Sequence, residues 1–441
     1  MIAFGKANTQ SCNSNNNDCT CIFGTLKAED TSLSVAEAFR KYKLTDYVPI
    51  PPKDYLEASY KTADVNLGNF IPPLRIIDRS NINYPKAKEN ALYTLLTIDV
   101  DAPPMVYSKK GYINTLIVNL PKSDNFLTNS GDVIVPLNTP VPCLGTGIHR
   151  PMQLVYEQEE YIDPDQTDLF KLARTRLISK ITAFAKKYHL GNPVAGNFHI
   201  TELSYCDGNS CSEDSDDEDV HIEIMFPIYL IILTTPAIFA ANACFNSNDC
   251  TCLSGFLSAV RPNISVPEAF IKHKISPGYL PVPPQDFLEA DFATAQVTLG
   301  NFIPALRAGD PTYFAYSKAK KTSLYTLILI GNTDEDVPTS LISRRGFVNY
   351  LSFNGHSNNL FCGDISVPLT RPVPALGVPL HHGMALLYEQ KSRIDTDQIS
   401  LLLLARTRVI TDIGKFSRTY GLGNPVAGNF IQTELSYCGL P

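Results

Sequence analysis

This chain of 441 residues contains one domain sequence written twice, and no other feature constrains its fold as strongly. LGNFIPPLR at 67–75 returns as LGNFIPALR at 299–307, and GNPVAGNF at 191–198 returns at 423–430. Both blocks are offset by 232 residues, far more than the period of a solenoid repeat. We therefore expect two domains of one kind, with copy one at 12–206, copy two at 244–441 and a connector at 207–243.

The first part of the connector is strongly acidic. Between Asp207 and Glu223 there are eight acidic residues and no Lys or Arg, which accounts for the whole net charge of −7. The two copies therefore have no marked excess of basic residues, and nucleic acid is not expected as a partner.

The second part of the connector, residues 226–243, is uncharged and apolar. It is short for a membrane span, which needs about 20 apolar residues, and two prolines interrupt it. Met225, the apolar run and an A-x-A pattern at 241–243 together are typical of a secretory signal peptide. We favour a signal-like origin and a secreted protein. The alternatives are a membrane anchor and a segment buried in the fold. A signal-like origin would mean either that the segment is cleaved or that two genes have been fused.

The cysteines also indicate export. Four cysteines of each copy occupy matching positions: Cys12, Cys19, Cys21 and Cys206 in copy one, and Cys244, Cys250, Cys252 and Cys438 in copy two. An even, repeated set predicts two disulfides per copy, with the connectivity left open. A single C-x-C pair is weak for zinc, so we predict no metal site and no cofactor. Three further cysteines, Cys143, Cys211 and Cys362, have no counterpart.

The pattern of elements favours a mainly β domain with peripheral helices. Ser34 and Ser265, each followed three residues later by Glu, predict helix-capping boxes. Runs at 93–98, 112–120 and 152–156 are rich in β-formers and end at turn residues. Helical spacing comes late, at about 167–189. Strands followed by a late helix argue against an alternating α/β sheet.

Two clusters in copy one have side chains that could form a site. Asp99 and Asp101 follow an apolar strand, two residues apart, so both carboxylates point the same way and could hold a His, a cation or a ligand. Gly147 and His149 lie in a glycine-rich segment whose N–H groups could form an anion nest. Arg150 is expected to be a structural ion-pair partner. The turn before Asn197 is assigned no chemistry.

Together, the D-x-D-x-P turn at 99–103, the G-x-G-x-H-R segment at 145–150 and the PVAG turn at 193–196 resemble the phosphatidylethanolamine-binding protein (PEBP) family. The resemblance covers nearly all of both copies. It implies an antiparallel β-sandwich with flanking helices and a small surface pocket for phosphate-like anions. The ligand-binding residues that it implies are Asp99, Asp101, Pro103, Asn114, Gly147 and His149 in copy one, and Asp334, Asp336, Asn349 and His381 in copy two.

This chain departs from the family pattern in ways that weaken the pocket. Asn114 and Asn349 stand where the family usually has a His, so the position can hydrogen-bond but carries no titratable proton. In copy two, Pro379 removes a backbone donor from the segment that corresponds to the nest. We expect copy two to keep the fold with an altered or weakened pocket.

These features predict a non-catalytic binder of small anionic or amphipathic ligands such as phospholipid headgroups, acting chiefly through copy one. The alternative is an inhibitor or regulator of a protease or kinase that acts through protein–protein contacts. Asp99 and His149 could form a base and its orienting group, but no Ser or Cys nucleophile lies in a recognisable motif, so an enzyme is not expected.

Overall fold

A computed structural model describes residues 21–22, 24–28, 31–78, 80–102, 111–127, 131–205, 251–253, 255–333, 346–357, 359–374 and 376–437. These residues form two mainly β units with peripheral helices, one from each copy, as the repeat predicts. The connector, with its signal and membrane alternatives, lies outside the described residues. So do these predicted site and cysteine positions: Pro103, Asp334, Asp336, Cys12, Cys19, Cys206, Cys211, Cys244, Cys250 and Cys438.

The strands predicted in copy one all form, each slightly longer than its pattern. Among the described residues the strands of this copy are β1 (Cys21–Ile22), β2 (Asp54–Tyr55), β3 (Glu57–Tyr60), β4 (Ala63–Val65), β5 (Ser80–Asn83), β6 (Leu92–Asp99), β7 (Gly111–Leu120), β8 (Asp132–Val135), β9 (Pro151–Gln158), β10 (Leu177–Ile178), β11 (Ala195–Phe198) and β12 (Ser204–Tyr205). Its helices are α1 (Val35–Lys41), α2 (Thr167–Thr175) and α3 (Ile181–Lys187), with 3₁₀ turns at Leu44–Asp46 and Pro73–Ile76.

Copy two repeats this order. Its described strands are β13 (Cys252–Leu253), β14 (Asp286–Phe287), β15 (Glu289–Phe292), β16 (Ala295–Gln296), β17 (Asn301–Phe302), β18 (Pro311–Ala315), β19 (Leu324–Thr333), β20 (Gly346–His356), β21 (Asp364–Val367), β22 (Val378–Gln390), β23 (Val409–Ile410) and β24 (Ala427–Tyr437). Its helices are α4 (Val266–Lys272), α5 (Ile399–Thr407) and α6 (Ile413–Thr419). Both predicted capping boxes are confirmed at the starts of α1 and α4.

Each copy is built around one large sheet. In copy one the strand order is β10-β7-β6-β9-β11-β2, with β8 on β7, and the sheet is antiparallel except where β2 joins β11. In copy two the order is β24-β22-β19-β20-β21. A small antiparallel sheet packs on one face of each large sheet: β4-β3-β5 in copy one and β16-β15-β18 in copy two.

Side chains alternate between the two faces of a strand, so the two faces of the large sheet pack against different layers of the domain. In β6, Leu96 and Ile98 pack with the helices, in one cluster with Phe39 and Phe184. Tyr93 and Leu95 point the other way and pack under the small sheet. The next positions on this second face, Thr97 and Asp99, are polar, and the candidate site begins there.

The prediction of one late helix at 167–189 is wrong in one respect, because this segment forms two helices, α2 and α3. Arg176 ends α2 in the left-handed region, at φ 55°, and Leu177 and Ile178 pair with β7. The Arg176 side chain is fully buried, and its guanidinium donates to the carbonyl oxygens of Ile113, Asn114 and Pro136 at 2.7–3.2 Å. These bonds hold the chain on the sheet and override the helical spacing.

The two copies exchange their first described strands. Strand β1 of copy one pairs in parallel with the end of β24 in copy two, and β13 of copy two pairs in the same way with β12 of copy one. A few residues later each segment returns to its own copy, where Leu26 bridges to Ala63 and Leu257 bridges to Ala295. The copies are therefore joined by a reciprocal contact, with the same segment crossing in each direction.

An apolar cluster fills the space between the exchanged strands. Its buried members are Ile22, Leu74, Ile77 and Leu203 from copy one, and Leu253, Ala305, Leu306, Leu376 and Leu435 from copy two. Helix α2 also contacts α5, and matching ion pairs flank them: Arg174 with Asp397 at 2.6 Å and Arg406 with Asp165 at 3.2 Å. Exposed ion pairs contribute little to stability, so the apolar cluster supplies most of the free energy that holds the two copies together.

The described part of the chain also bears on the cysteines and on membrane spans. Cys252 is disulfide-bonded. The predicted pattern of two disulfides per copy stays a prediction. Cys143 and Cys362 are free, as expected of cysteines without a counterpart. None of the described helices is both long and apolar enough to cross a bilayer.

Candidate functional site

The candidate site of copy one lies where the small-sheet face of the large sheet changes from apolar to polar. Thr97 of β6 is paired with Gln153 of β9, and Asp99 with Pro151. Directly paired residues on neighbouring strands share a face, so these side chains meet under the small sheet. Asn114 lies on the adjoining strand β7, at a shift in the register with β6.

His149 is held at both ring nitrogens. Nδ1 lies 2.6 Å from Asp99 Oδ2, and Nε2 lies 2.8 Å from the hydroxyl of Thr146. The backbone N–H and carbonyl of His149 also bond to Thr201. Its ring is buried, with 1% of the side chain exposed. Of the roles that the sequence leaves open for the carboxylate pair, Asp99 has that of holding a His.

Thr146, His149 and Asp99 form a hydrogen-bonded chain of side chains. The Thr146 hydroxyl also donates to Cys143 O, at 2.7 Å. A nucleophilic role would require this hydroxyl to give its proton to the imidazole, and the Cys143 carbonyl oxygen competes for that proton.

Asp101 is engaged by Arg150. The guanidinium forms a two-pronged pair with this carboxylate, at 2.8 and 2.7 Å, and donates to Tyr42 O at 2.5 Å. The side-chain bonds to Asp101 raise the pKa of Arg150. Arg150 is thus a structural ion-pair partner, as the sequence predicts, and the Asp101 carboxylate is already paired.

A small, partly open cavity lies beside the Asp99–His149 pair. Its walls include Tyr60, Asp78, Thr97, Asn114, Asn138 and Gln153. Asp78 is paired with Lys61 at 2.8 Å, which balances its charge. Three wall atoms, Thr97 Oγ1, Asn114 Oδ1 and Gln153 Oε1, are buried without a hydrogen-bond partner in the described structure. Buried polar atoms nearly always have partners, so this wall is incomplete by itself.

His199 and Thr201 extend the polar face below the cavity. Neither ring nitrogen of His199 has a partner among the described residues, and the ring packs edge-on against Tyr60 with centroids 5.4 Å apart. Burial lowers the pKa of His199 to about 3, so the ring is neutral at physiological pH. It is a hydrogen-bonding group there and not a cation.

The glycine-rich segment forms part of the predicted nest. Gly145 and Gly147 have positive φ, 74° and 81°, which glycine adopts without strain. The N–H groups of Gly145 and Thr146 bond within the protein. Among the described contacts those of Gly147 and Ile148 have no partner, and they remain the donors that an anion could use.

Copy two has a different arrangement at these positions. Gly331 occupies the strand position of Asp99, opposite Gly383 instead of Pro151, so the carboxylate is missing there. A β-carbon on Gly331 would lie 2.3 Å from His381 Nε2, which shows that the His381 ring fills the vacated space. Burial, with His382 beside it, lowers the pKa of His381 to about 4. Asn349 donates to Arg371 O at 2.9 Å.

The structure brings the sequence-predicted residues of copy one to one end of the sheet. Asn114 lines the cavity, Asp99 and His149 adjoin it, and Asp101 is turned to Arg150. The sequence analysis missed four residues of this face: Tyr60, Thr97, Gln153 and His199. A comparison of the two copies could have found them, because all four are polar and their counterparts in copy two are apolar: Phe292, Leu329, Ala385 and Ile431.

The turn after α3 has the structural role that the sequence predicts. Asn197, fully buried in β11, bonds to backbone groups of Leu56, Val65, Leu67 and Phe198 and ties the small sheet to the large one. Over the described ranges, no group of three or more His, Cys, Asp or Glu side chains is placed to hold a metal ion.

No protein-family model matches the chain. A 26 kDa secreted antigen of Toxocara canis is 29% identical over 140 residues, which are 31% of this chain and 52% of that protein. This chain thus spans about half of the antigen's length. Putative odorant-binding protein A5 of Drosophila melanogaster is 28% identical over 178 residues, 39% of this chain and 81% of that protein.

Two solved structures each match a stretch of this chain that is about as long as one copy. The phosphatidylethanolamine-binding protein of Plasmodium vivax is 17% identical, with a TM-score of 0.32, over 38% of this chain and 96% of that one. The carboxypeptidase Y inhibitor, solved in complex with its cognate proteinase, is 19% identical, with a TM-score of 0.31, over 38% of this chain and 93% of that one. The described residues of this chain form two mainly β units, each with antiparallel sheets and peripheral helices.

Proposed function

We propose that this protein is an extracellular, non-catalytic binder of a small anionic or amphipathic ligand, such as a phospholipid headgroup, and that copy one holds the ligand. The observation that carries the proposal is the incomplete polar wall: Thr97, Asn114 and Gln153 present buried, unpartnered atoms to one cavity. Burying such groups without a partner costs free energy, and a polar ligand would supply the missing bonds.

The charges around the cavity suit a ligand with an anionic group. Lys61 balances Asp78, so the wall has no uncompensated negative charge. Each wall amide can turn its NH₂ toward the cavity, and the N–H groups of Gly147 and Ile148, beside His149, have no partner among the described contacts. The extracellular location rests on the cysteine pattern and on the secreted antigen among the relatives.

Absence of catalysis is part of the proposal. Both imidazole nitrogens of His149 are hydrogen-bonded within the protein, to Asp99 and to Thr146. His149 therefore acts as a rigid support for the strand ends and not as a general base.

Calorimetric titration of the full-length protein with O-phosphoethanolamine tests the proposal. We expect Asn114→Ala to weaken binding by about tenfold, because one buried hydrogen bond to the ligand is lost. Asn349→Ala, the same change at the equivalent position of copy two, is the control and should leave the affinity unchanged. Wild-type protein that does not bind, or equal affinity in both variants, would overturn the proposal.

The same variants separate binding from the alternative, an inhibitor of a protease or kinase that acts through surface contacts. A stoichiometric enzyme partner recovered from extracellular fluid equally well by wild-type and Asn114→Ala protein would favour inhibition.

A further inference from the structure

One segment of copy one, residues 137–149, connects the cavity wall with the glycine-rich nest. Its first part, 137–140, lines the cavity, and its last part contains Gly147 and His149. The middle part, 142–144, lies between the two. A binding site keeps its geometry only when the backbone that carries it is held in place, so the contacts of this middle part bear on both sides of the site.

Copy two holds the middle part by two hydrogen bonds. Asp310 Oδ2 accepts from the N–H of Leu144 at 2.9 Å, and Arg371 donates to Pro142 O at 2.7 Å. Asp310 and Arg371 are paired with each other at 3.2 Å, and only 20% and 10% of their side chains are exposed. Hydrogen bonds from or to charged groups are the stronger ones, so copy two fixes this backbone at two points.

The held backbone leads directly into the nest. Cys143 O, between the two anchored residues, accepts from the N–H and from the hydroxyl of Thr146, at 3.3 and 2.7 Å. Thr146 is also hydrogen-bonded to His149, and it precedes Gly147, whose N–H has no partner among the described contacts. A displacement of the backbone at 142–144 would therefore be passed on to the donors of the nest.

The residues that make this contact differ between the copies. Arg371 corresponds to Thr139 in copy one, and Gly309 corresponds to Ile77. A β-carbon on Gly309 would overlap the Arg371 guanidinium, so the glycine provides the room that the arginine needs. Copy one has neither the arginine nor the glycine, and it cannot make the same contact in the other direction.

We propose that copy two completes the ligand site of copy one, with Asp310 and Arg371 as positioning residues for the nest. This inference rests on the function proposed for copy one and deepens it, because the site then depends on the second copy. A backbone nest binds an anion through N–H groups that converge, and a small displacement of such groups weakens the site. In this role neither side chain contacts the ligand, and each acts through the backbone of 142–144.

Calorimetric titration of the full-length protein with O-phosphoethanolamine measures the contribution of these residues to affinity. Arg371→Thr, which copies Thr139, and Asp310→Ala should each weaken binding about tenfold, within the usual range of coupling between two sites. Asp310→Asn should stay within about twofold of the wild type, because its amide oxygen can still accept from the N–H of Leu144.

Arg406→Thr is the matched control. Arg406 also reaches from copy two to copy one, where it donates to Val133 O and Pro164 O at 3.2 and 3.3 Å. Neither of these copy-one residues belongs to the cavity wall or to the nest. The variant therefore removes cross-copy bonds of the same kind, and it should leave the affinity unchanged.

A glycine signal reports on the nest without any ligand. Gly147 is the only glycine of the chain that follows a threonine, so ¹⁵N-labelled glycine combined with carbonyl-¹³C-labelled threonine selects its amide in an NMR spectrum. In the ligand-free protein this signal should shift or broaden in Arg371→Thr and Asp310→Ala, and it should stay in place in Arg406→Thr. If one of the first two variants fails to fold, as shown by loss of dispersion of the glycine signals, the other carries the test.

The proposal is overturned if Arg371→Thr and Asp310→Ala bind as the wild type does, whether or not the Gly147 signal moves. It is also overturned if Arg406→Thr weakens binding equally, because a general loosening of the interface would then explain the loss. Wild-type protein that does not bind O-phosphoethanolamine overturns the function proposed for copy one, and the Gly147 signal then still decides whether copy two positions the nest.

Discussion

The two buried histidines of copy one have opposite surroundings. His149 is hydrogen-bonded to Asp99 and to Thr146, so the orientation of its ring is fixed. His199 is equally buried, but both of its nitrogens lack partners among the described residues, and Tyr60 packs against it. One histidine is thus a support for the site, and the other is an uncharged member of its wall.

This difference predicts acid sensitivity. The unfolded chain protonates His199 below about pH 6.5, whereas burial keeps the folded ring neutral down to about pH 3. Unfolding therefore takes up a proton in this range, and stability falls as the pH drops below 6.5. By pH 5 the loss should be about 2 kcal/mol. His199→Ile, which copies Ile431, should remove it, as measured by urea denaturation at pH 7 and pH 5.

His189→Asn is the control for this experiment, because the His189 side chain is exposed in the folded protein as it is in the unfolded chain. An equal loss of stability on acidification in the wild type and in His199→Ile would contradict the assignment of a neutral, buried imidazole.

At the scale of elements, Arg176 and its counterpart Arg408 decide where the late helix breaks. Each is fully buried, has φ of 55°, and donates to three groups that surround β7 in copy one and β20 in copy two. Burial lowers the pKa of both guanidinium groups. The three hydrogen bonds that each guanidinium donates offset this cost of burial.

We expect Arg176→Met to destabilise the protein by about 3 kcal/mol or more, since it removes three buried hydrogen bonds, to the carbonyl groups of Ile113, Asn114 and Pro136. Thermal unfolding of the full chain would measure the effect. Lys171→Met, on an exposed position of the same helix, should change stability by no more than about 0.5 kcal/mol. A similar small change in Arg176→Met would show that the buried bonds do not hold the bend.

The sequence predicts a helix or strand well where residues close together in the chain determine it. The capping boxes at Ser34 and Ser265 and the core strands followed from short-range rules. The break at Arg176 did not, because a buried guanidinium depends on carbonyl groups from a distant strand. For the same reason the sequence located Asp99, Asn114 and His149 through their motifs but missed Thr97 and Gln153, which look like ordinary polar residues in a strand until the register brings them together.

At the scale of the whole molecule, the exchanged strands join the two copies independently of the connector. Strand β1 pairs with β24, β13 pairs with β12, and the apolar cluster between them contains buried residues of both copies. Lys61, which balances Asp78 at the cavity of copy one, also donates to Leu376 O of copy two at 3.3 Å. Nothing in the repeat itself predicts this arrangement, because each copy alone contains all the elements of a sandwich.

We therefore expect the copies to stay together after the connector is cut. A specific protease site at 212–218 would be cleaved in the folded protein, and size exclusion under reducing conditions should show both halves eluting together. Leu203→Asp combined with Leu435→Asp, at equivalent positions of the cluster, should release them because it buries two unpaired carboxylates. Separate elution of the wild-type halves would contradict a stable interface.

The reciprocal exchange has the symmetry of a dimer made from two identical chains. In such a dimer every mutation appears on both sides, so the two sites can only change together. Placing both partners on one chain removes that constraint and makes their association independent of concentration. Each molecule then contains one of each partner in fixed proportion, and one site can evolve toward a new ligand while the other keeps its own.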